Sequence, residues 1–440
     1  MEVEYATRKQ QLLEECHVAP EIFHQVMPRL ETFMVPFVRP FCRQEPAQHA
    51  QTSVYGLLSD LGRKNVESIA YRFGQDRLPL QRFVGWAEWD EAPLQQELTR
   101  QVAQHLGEAD GVLVLDPSAF PKSGTDSVGV ARQWCGRLGK VDNCQVAVSL
   151  GYVAGAGHTL VDMRLSLPKT WTQDHARLDK AGVPTHRRGY RSRHQLALDM
   201  LEQNGAVLPH GWIAGDDEMG RPYWCRRRLN HLGERSLLAV PGNTLMRDLE
   251  VAPPPYSGRG RRPQRPWQGI ELWRTSLPEE AWTTIDVRDG SKGPLVVDMV
   301  TRRVVARTPQ RQEGHEELLV VIRYRERDTQ QVVKVDWYLS NGAVETSLTT
   351  FARVAKAAHR IEECLQRSKS EAGLADYEVR NWTGWHHHQT LSLIATWFLV
   401  TETRRGKKMD AGNDVAPDSR RHRVDPALCV SMRDHATHTA

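Results

Sequence analysis

The 440-residue sequence contains no run of about 18 apolar residues, so no membrane-spanning helix is expected. Its opening stretch, MEVEYATRKQQLLEEC, lacks the apolar centre of a secretory signal. The 7 cysteines (Cys16, Cys42, Cys135, Cys144, Cys225, Cys364 and Cys429) form no CxxC pair, and their number is odd. That argues against a disulfide framework and a structural zinc site and points to a reducing cytoplasm. No internal repeat is present. Charge of neither sign dominates: the net charge is +4, so only the placement of charge can speak for a polyanionic partner.

What is present is globular material, 40% apolar and 25% charged, and enough of it for two or three domains. The first hundred residues read as helical, with apolar residues at helical spacing in APEIFHQVMPRLETFMVPFV and PLQQELTRQVAQHLG. Between them, SVYGLLSDLGRKNVESIAYRFG reads as helix, turn and helix around Gly62. From about residue 108 to 245 strands alternate with helices: GVLVLD, CQVAVSLGYVAG and HTLVDMRLSLP, then the helix SRHQLALDMLEQNGA, the short strand GWIAGD, the helix RPYWCRRRLNHLG and the strand RSLLAVPG. The order predicts an α/β fold in which the first strands are antiparallel and later ones join by helical crossovers. The Pro/Arg/Gly-rich stretch 251–269 fits no regular element, and strand-like runs follow it to about residue 340. A long helix is expected over 348–373 and another after NWTGW.

Two of the apolar strands, VLVLD and WIAGD, end in aspartate, at Asp116 and Asp216. In open α/β sheets the functional crevice lies beyond the C-terminal ends of strands. Aspartate also commonly opens a turn after a strand, and both readings remain open at this point. Two close carboxylates are costly without a cation between them, and hard oxygen ligands suit Mg²⁺ or Mn²⁺. The long helix offers a third carboxylate at Glu362, beside Glu363. Ile361 and Leu365 face the core, and Lys369 lies two turns from Glu362 on the same face. WHHH (385–388) suggests a metal tract, but successive helical residues diverge by about 100°, which favours packing or DNA contact instead.

Three stretches together resemble a DDE-type insertion-sequence transposase: LDPSAFPKSGTDSVGVARQWCGRLGKVDNCQ (115–145), WIAGDDEMGR (212–221) and HRIEECLQRSKSEAGLADYEVRNWTGWHHHQTL (359–391). The likeness extends to GLLSDLGRKNVESIA near the N-terminus. It implies a ribonuclease H-like mixed sheet flanked by helices, with a helical N-terminal DNA-binding domain (1–105), a catalytic core in two parts (106–248 and 343–403), a β-rich insertion domain (249–342) and a disordered basic tail (404–440). It also implies Asp116, Asp216 and Glu362 as catalytic, metal-holding residues with two Mg²⁺ (or Mn²⁺) ions. The reaction implied is cleavage of transposon ends and joining of the 3′-OH to target DNA. The implied partners are double-stranded DNA, both the inverted-repeat ends and the target, and a second copy of the chain on that DNA, with no membrane. The setting implied is prokaryotic, cytoplasmic and nucleoid-associated. The family pattern has an aromatic where Met219 stands, and a Tyr and an Arg where Ala355 and Ala358 stand. Lys356, His359 and Arg360 are the neighbours available to fill that DNA-holding role. Further expected DNA contacts are Lys122, Arg137, Lys140, Arg259, Arg261, Arg262, Arg360 and Lys369, since Arg and Lys position a backbone without reading sequence. One of the 13 tryptophans could stack on an unpaired end base. A catalytically idle DNA-binding relative, or another ribonuclease H-like nuclease, are the alternative readings.

Overall fold

The computed structural model describes residues 25–287, 295–326 and 329–411. The chain divides into two compact units. Residues 1–107, 117–208 and 361–440 form the first, and residues 108–116 and 209–360 form the second.

The first unit opens with five helices: α1 (Val26–Val38), α2 (Gln44–Leu58), α3 (Val66–Arg72), α4 (Arg77–Gly85) and α5 (Ala92–Leu106). Each is amphipathic or capped as its sequence demands. Leu94, Leu98, Val102 and Leu106 recur on one face of α5 and are buried. Asn65 accepts the Ser68 N–H to start α3, and Asp76 accepts that of Leu78 to start α4. Strand β1 (Val112–Pro121) follows, then β2 (Ala131–Cys135), β3 (Lys140–Ala154) and β4 (Gly157–Leu165). β3 pairs antiparallel with β2 over Lys140–Cys144 and with β4 over Ala147–Ala154. Helix α6 (Arg193–Asn204) starts with a capping box between Ser192 and Gln195.

In the second unit β5 (Trp212–Gly215) pairs parallel with β1, and β6 (Ser236–Ala239) pairs parallel with β5. Then come β7 (Leu245–Asp248), β8 (Gln268–Gly269), β9 (Thr283–Val287), β10 (Leu295–Arg307), β11 (Glu313–Arg325) and β12 (Val332–Ser340). The strands of the β-rich stretch join the sheet that β5 and β6 begin. β12 pairs directly with β6 through Tyr338↔Ala239, and β11, β10 and β7 continue the same sheet. Their inner side chains, among them Met246, Val304, Leu319 and Leu339, form one buried cluster.

The chain returns to the first unit along α7 (Leu348–Glu371) and ends the described structure in α8 (Trp382–Ala411). The N-terminal helices do not stand alone either, because their apolar faces close on α8. Arg29 pairs with Glu402 at 2.7 Å, and the Trp397 indole donates to Gln101. Helix α8 continues past residue 403, where a tail was expected. Glu402, held by Arg29 and Arg405, anchors that turn. Residues 412–440 lie outside the described residues.

The sheet order β4-β3-β1-β5-β6 runs through the shared strand β1. This is the order of a ribonuclease H-like core, and helices flank it. One expectation fails at its centre. β1 does not stop at Asp116 but runs through Pro117 to Pro121. Pairing with β5 ends at Leu115↔Gly215. A residue without an N–H is tolerated where one flank of a strand has lost its partner.

Candidate active site

Parallel pairing sets Leu115 opposite Gly215, so Asp116 and Asp216 are the next residues along two adjacent strands running the same way. The register therefore sets these two residues side by side on the backbone, and both are half-buried. Glycine makes the second one possible. A Cβ on Gly215 would press on Met219 Cβ at 2.9 Å, and one on Gly220 would collide with the Ala239 carbonyl. The chain can therefore turn sharply from β5 into the short helix Asp217–Gly220, whose first turn Asp216 caps by accepting the Met219 N–H at 3.0 Å. Asp217 is exposed and pairs with Arg221 at 2.7 Å.

Burial pushes the Asp216 carboxyl up to about 7, against the hydrogen bond from Met219, and the neighbouring Glu218 and Asp217 carboxylates push the same way. A half-buried carboxylate crowded by others favours a hard divalent cation, which would return it to its ionised form. Oxygen donors are what the place offers, and they fit Mg²⁺ or Mn²⁺. Among the described residues, however, no three His, Cys, Asp or Glu side chains stand together closely enough to hold an ion.

Glu362 belongs to the first unit and the two aspartates to the second. Its helix is oriented by burial of Ile361, Cys364 and Leu365, which leaves Glu362 and Glu363 exposed. Lys369, two turns on, donates to the Ser118 hydroxyl at 2.7 Å and lies over the Phe120 ring. Ser118 and Phe120 alternate on the same face of β1 as Asp116.

The remaining residues expected to meet DNA divide into two groups. Lys122 does not reach out from a loop. Its ammonium donates to the Tyr377 carbonyl at 3.1 Å and sits 3.5 Å over the Tyr377 ring, and burial pushes its pKa down to about 8. Arg259, Arg261 and Arg262 are exposed on the irregular loop after β7, with Arg262 6.0 Å over Tyr256. Arg137 is exposed, Lys140 is exposed and paired with Asp142 at 3.0 Å, and Arg360 is half-exposed on α7. The WHHH tract is packing. His387 is stacked on Trp89 at 3.7 Å between the Val84 and Trp89 carbonyls, His388 bonds Gly373 O, and His386 bonds Trp382 O. A cavity of about 500 Å³ in the first unit has Trp86, Trp171 and Tyr377 in its walls. Its cations Arg177, Lys180 and Arg380 are matched by Asp126, Glu67 and Glu378, so it carries no preference for a polyanion.

One feature escaped sequence reasoning: the β2–β3 hairpin, which leaves Trp134 56% exposed. The signal was available, since ARQWC alternates side chains to two faces and GRLG supplies a turn.

The sheet order, with Asp116 and Asp216 adjacent on neighbouring parallel strands, puts the chain in the class of ribonuclease H-like proteins. Within that class it belongs to the DDE superfamily endonucleases, whose family model matches residues 36–294. Both aspartates fall inside that stretch and Glu362 outside it. The chain is 34% identical over 96 residues to a probable transposase for insertion sequence element IS701 from Microchaete diplosiphon, a match spanning 22% of this chain and 25% of that relative. A cryo-EM structure of the piggyBac transposase synaptic complex with hairpin DNA aligns over 98% of this chain and 82% of its own, at 9% identity and TM-score 0.41. No helix among the described residues is long and apolar enough to cross a membrane.

Proposed function

We propose that the protein is a DNA transposase that cuts the ends of its element and joins them to target DNA. The observation that carries this reading is the register of β1 and β5, which sets Asp116 beside Asp216 where the pairing of the two strands ends, in a DDE-family chain. Glu362 is the third carboxylate of the proposed site. Asp116, Asp216 and Glu362 would hold two Mg²⁺ or Mn²⁺ ions, which when bound supply positive charge beside the attacked phosphate. Water attacks a phosphodiester at the element's end and releases a 3′-OH; that hydroxyl attacks a target phosphodiester and displaces a new 3′-OH. Arg137, Lys140, Arg259, Arg261, Arg262 and Arg360 are proposed to hold the DNA backbone. Lys122 is withdrawn from that set because Tyr377 already occupies it. Lys369 is assigned to positioning α7 on β1. A pair of protomers would act on two ends, in a prokaryotic cytoplasm beside the nucleoid.

The test uses duplex DNA bearing the inverted repeats that flank the gene, with Mg²⁺ and separately with EDTA. The expected outcome is metal-dependent nicking at the repeat tip, abolished in Asp116→Ala while DNA binding persists. Cleavage by Asp116→Ala at the wild-type rate would refute the reading. Binding without cleavage by the wild type would assign the chain to the idle relatives instead, and Ala355 and Ala358 would be the first positions to restore.

A further inference from the structure

We infer that the β2–β3 hairpin is a finger that stacks an unpaired DNA base on Trp134; this rests on the proposed DNA reading and adds a site to it. The hairpin has one anchored face and one open face. On the anchored face Cys135 and Cys144 are buried with Ala119 and Val146, and Gln133 donates to the Cys144 carbonyl. At its base Asn143 donates to the carbonyls of Lys122 and Gly124. On the open face Trp134 pairs across the strands with Val141, 56% and 53% exposed, and Leu138 at the tip is 44% exposed. A large apolar side chain in water on a rigid, two-stranded support is costly unless a partner covers it.

Charge identifies that partner. Arg132 shares the face of Trp134 and Arg137 stands in the tip, both exposed, whereas Lys140 and Asp142 pair with each other on the opposite face. An aromatic face flanked by two arginines and no carboxylate on its own side matches a nucleic-acid strand, whose base stacks while its phosphates pair. A duplex interior offers no free base face, so the occupant is an unpaired base of a DNA strand. Position agrees with this. The Lys122 N–H donates to the Asn143 carbonyl, so the tip, Gly136–Gly139, extends past the C-terminal end of β1.

The test measures binding of the full-length protein, in EDTA so that no DNA is cut, to a fluorescent mixed-sequence oligonucleotide offered single-stranded or annealed to its complement. Trp134→Ala is expected to weaken single-strand binding about tenfold and Trp134→Phe to restore most of it, with duplex affinity unchanged. Trp134 is exposed, so both variants are expected to fold, and a thermal melt checks this. Equal loss on both DNAs, or no loss on either, overturns the finger while leaving the transposase reading intact. A change in sedimentation without DNA would show that the patch meets a second copy of the chain, and also overturns it. Failure of the wild type to bind either DNA would remove the reading beneath it.

Discussion

Single side chains in this protein show how burial fixes protonation. His388 is buried, with its Nε2 bonded to the Gly373 carbonyl and the Lys122 ammonium nearby. Burial, then that charge, lower its pKa to about 4 from 6.5. Between those values the unfolded chain takes up a proton that the folded chain refuses, so ν_U exceeds ν_N and stability falls as pH drops. The full contribution is present above pH 6.5 and is lost toward pH 4, at no more than roughly 1.4 kcal/mol per pH unit. His388→Gln keeps a donor for Gly373 and removes the titration. Its melting temperature should fall less than that of the wild type between pH 7.5 and pH 5. Parallel pH profiles would show that His388 does not set the acid limit. Asp216 shows the opposite direction, its carboxyl raised by burial beside other acids.

At the scale of elements, the turn from β5 into the helix Asp217–Gly220 depends on close backbone approach. A Cβ at Gly220 would enter the Ala239 carbonyl of β6. Gly220→Ala should therefore cost about 1–3 kcal/mol by forcing β6 and the helix apart, read as a lower urea midpoint; an unchanged midpoint would mean that the turn relaxes freely. Most elements were legible beforehand, because β1, β5, β6, α6 and α7 each carry their own periodicity or caps. Asp216 was legible as a carboxylate at a strand end for the same reason. Three matters were not, and each depends on pairing partners rather than local pattern. The continuation of β1 beyond Pro117 depends on β5 ending at Gly215. The merging of the β-rich stretch into the main sheet depends on Tyr338 meeting Ala239. The union of α1–α5 with the C-terminal helix depends on contacts such as Arg29 with Glu402, 373 positions apart. The exposure of Trp134 was hidden because a single aromatic on a short edge strand looks the same whether it faces core or water.

For the whole molecule, a net charge of +4 would not by itself hold a polyanion. Several basic side chains in the second unit are neutralised in place. Arg226 pairs with buried Glu317, and Arg323 and Arg325 pair with Asp298. The loop after β7 is different. Arg259, Arg261 and Arg262 are exposed there, and Tyr256 rather than a carboxylate lies beneath Arg262. DNA affinity should then be local in origin, and its salt dependence should report how many of these side chains meet phosphates. Each phosphate contact to duplex DNA steepens the plot of log K against log salt by about 0.9. Replacing all three arginines by alanine should flatten that slope by about 2–3, weaken binding to every sequence alike, and leave the melting temperature unchanged, because the loop supports no core. A slope equal to that of the wild type would remove the loop from the DNA interface. A loss confined to one DNA sequence would instead make it a reader of bases, with a backbone role left to Arg137, Lys140 and Arg360.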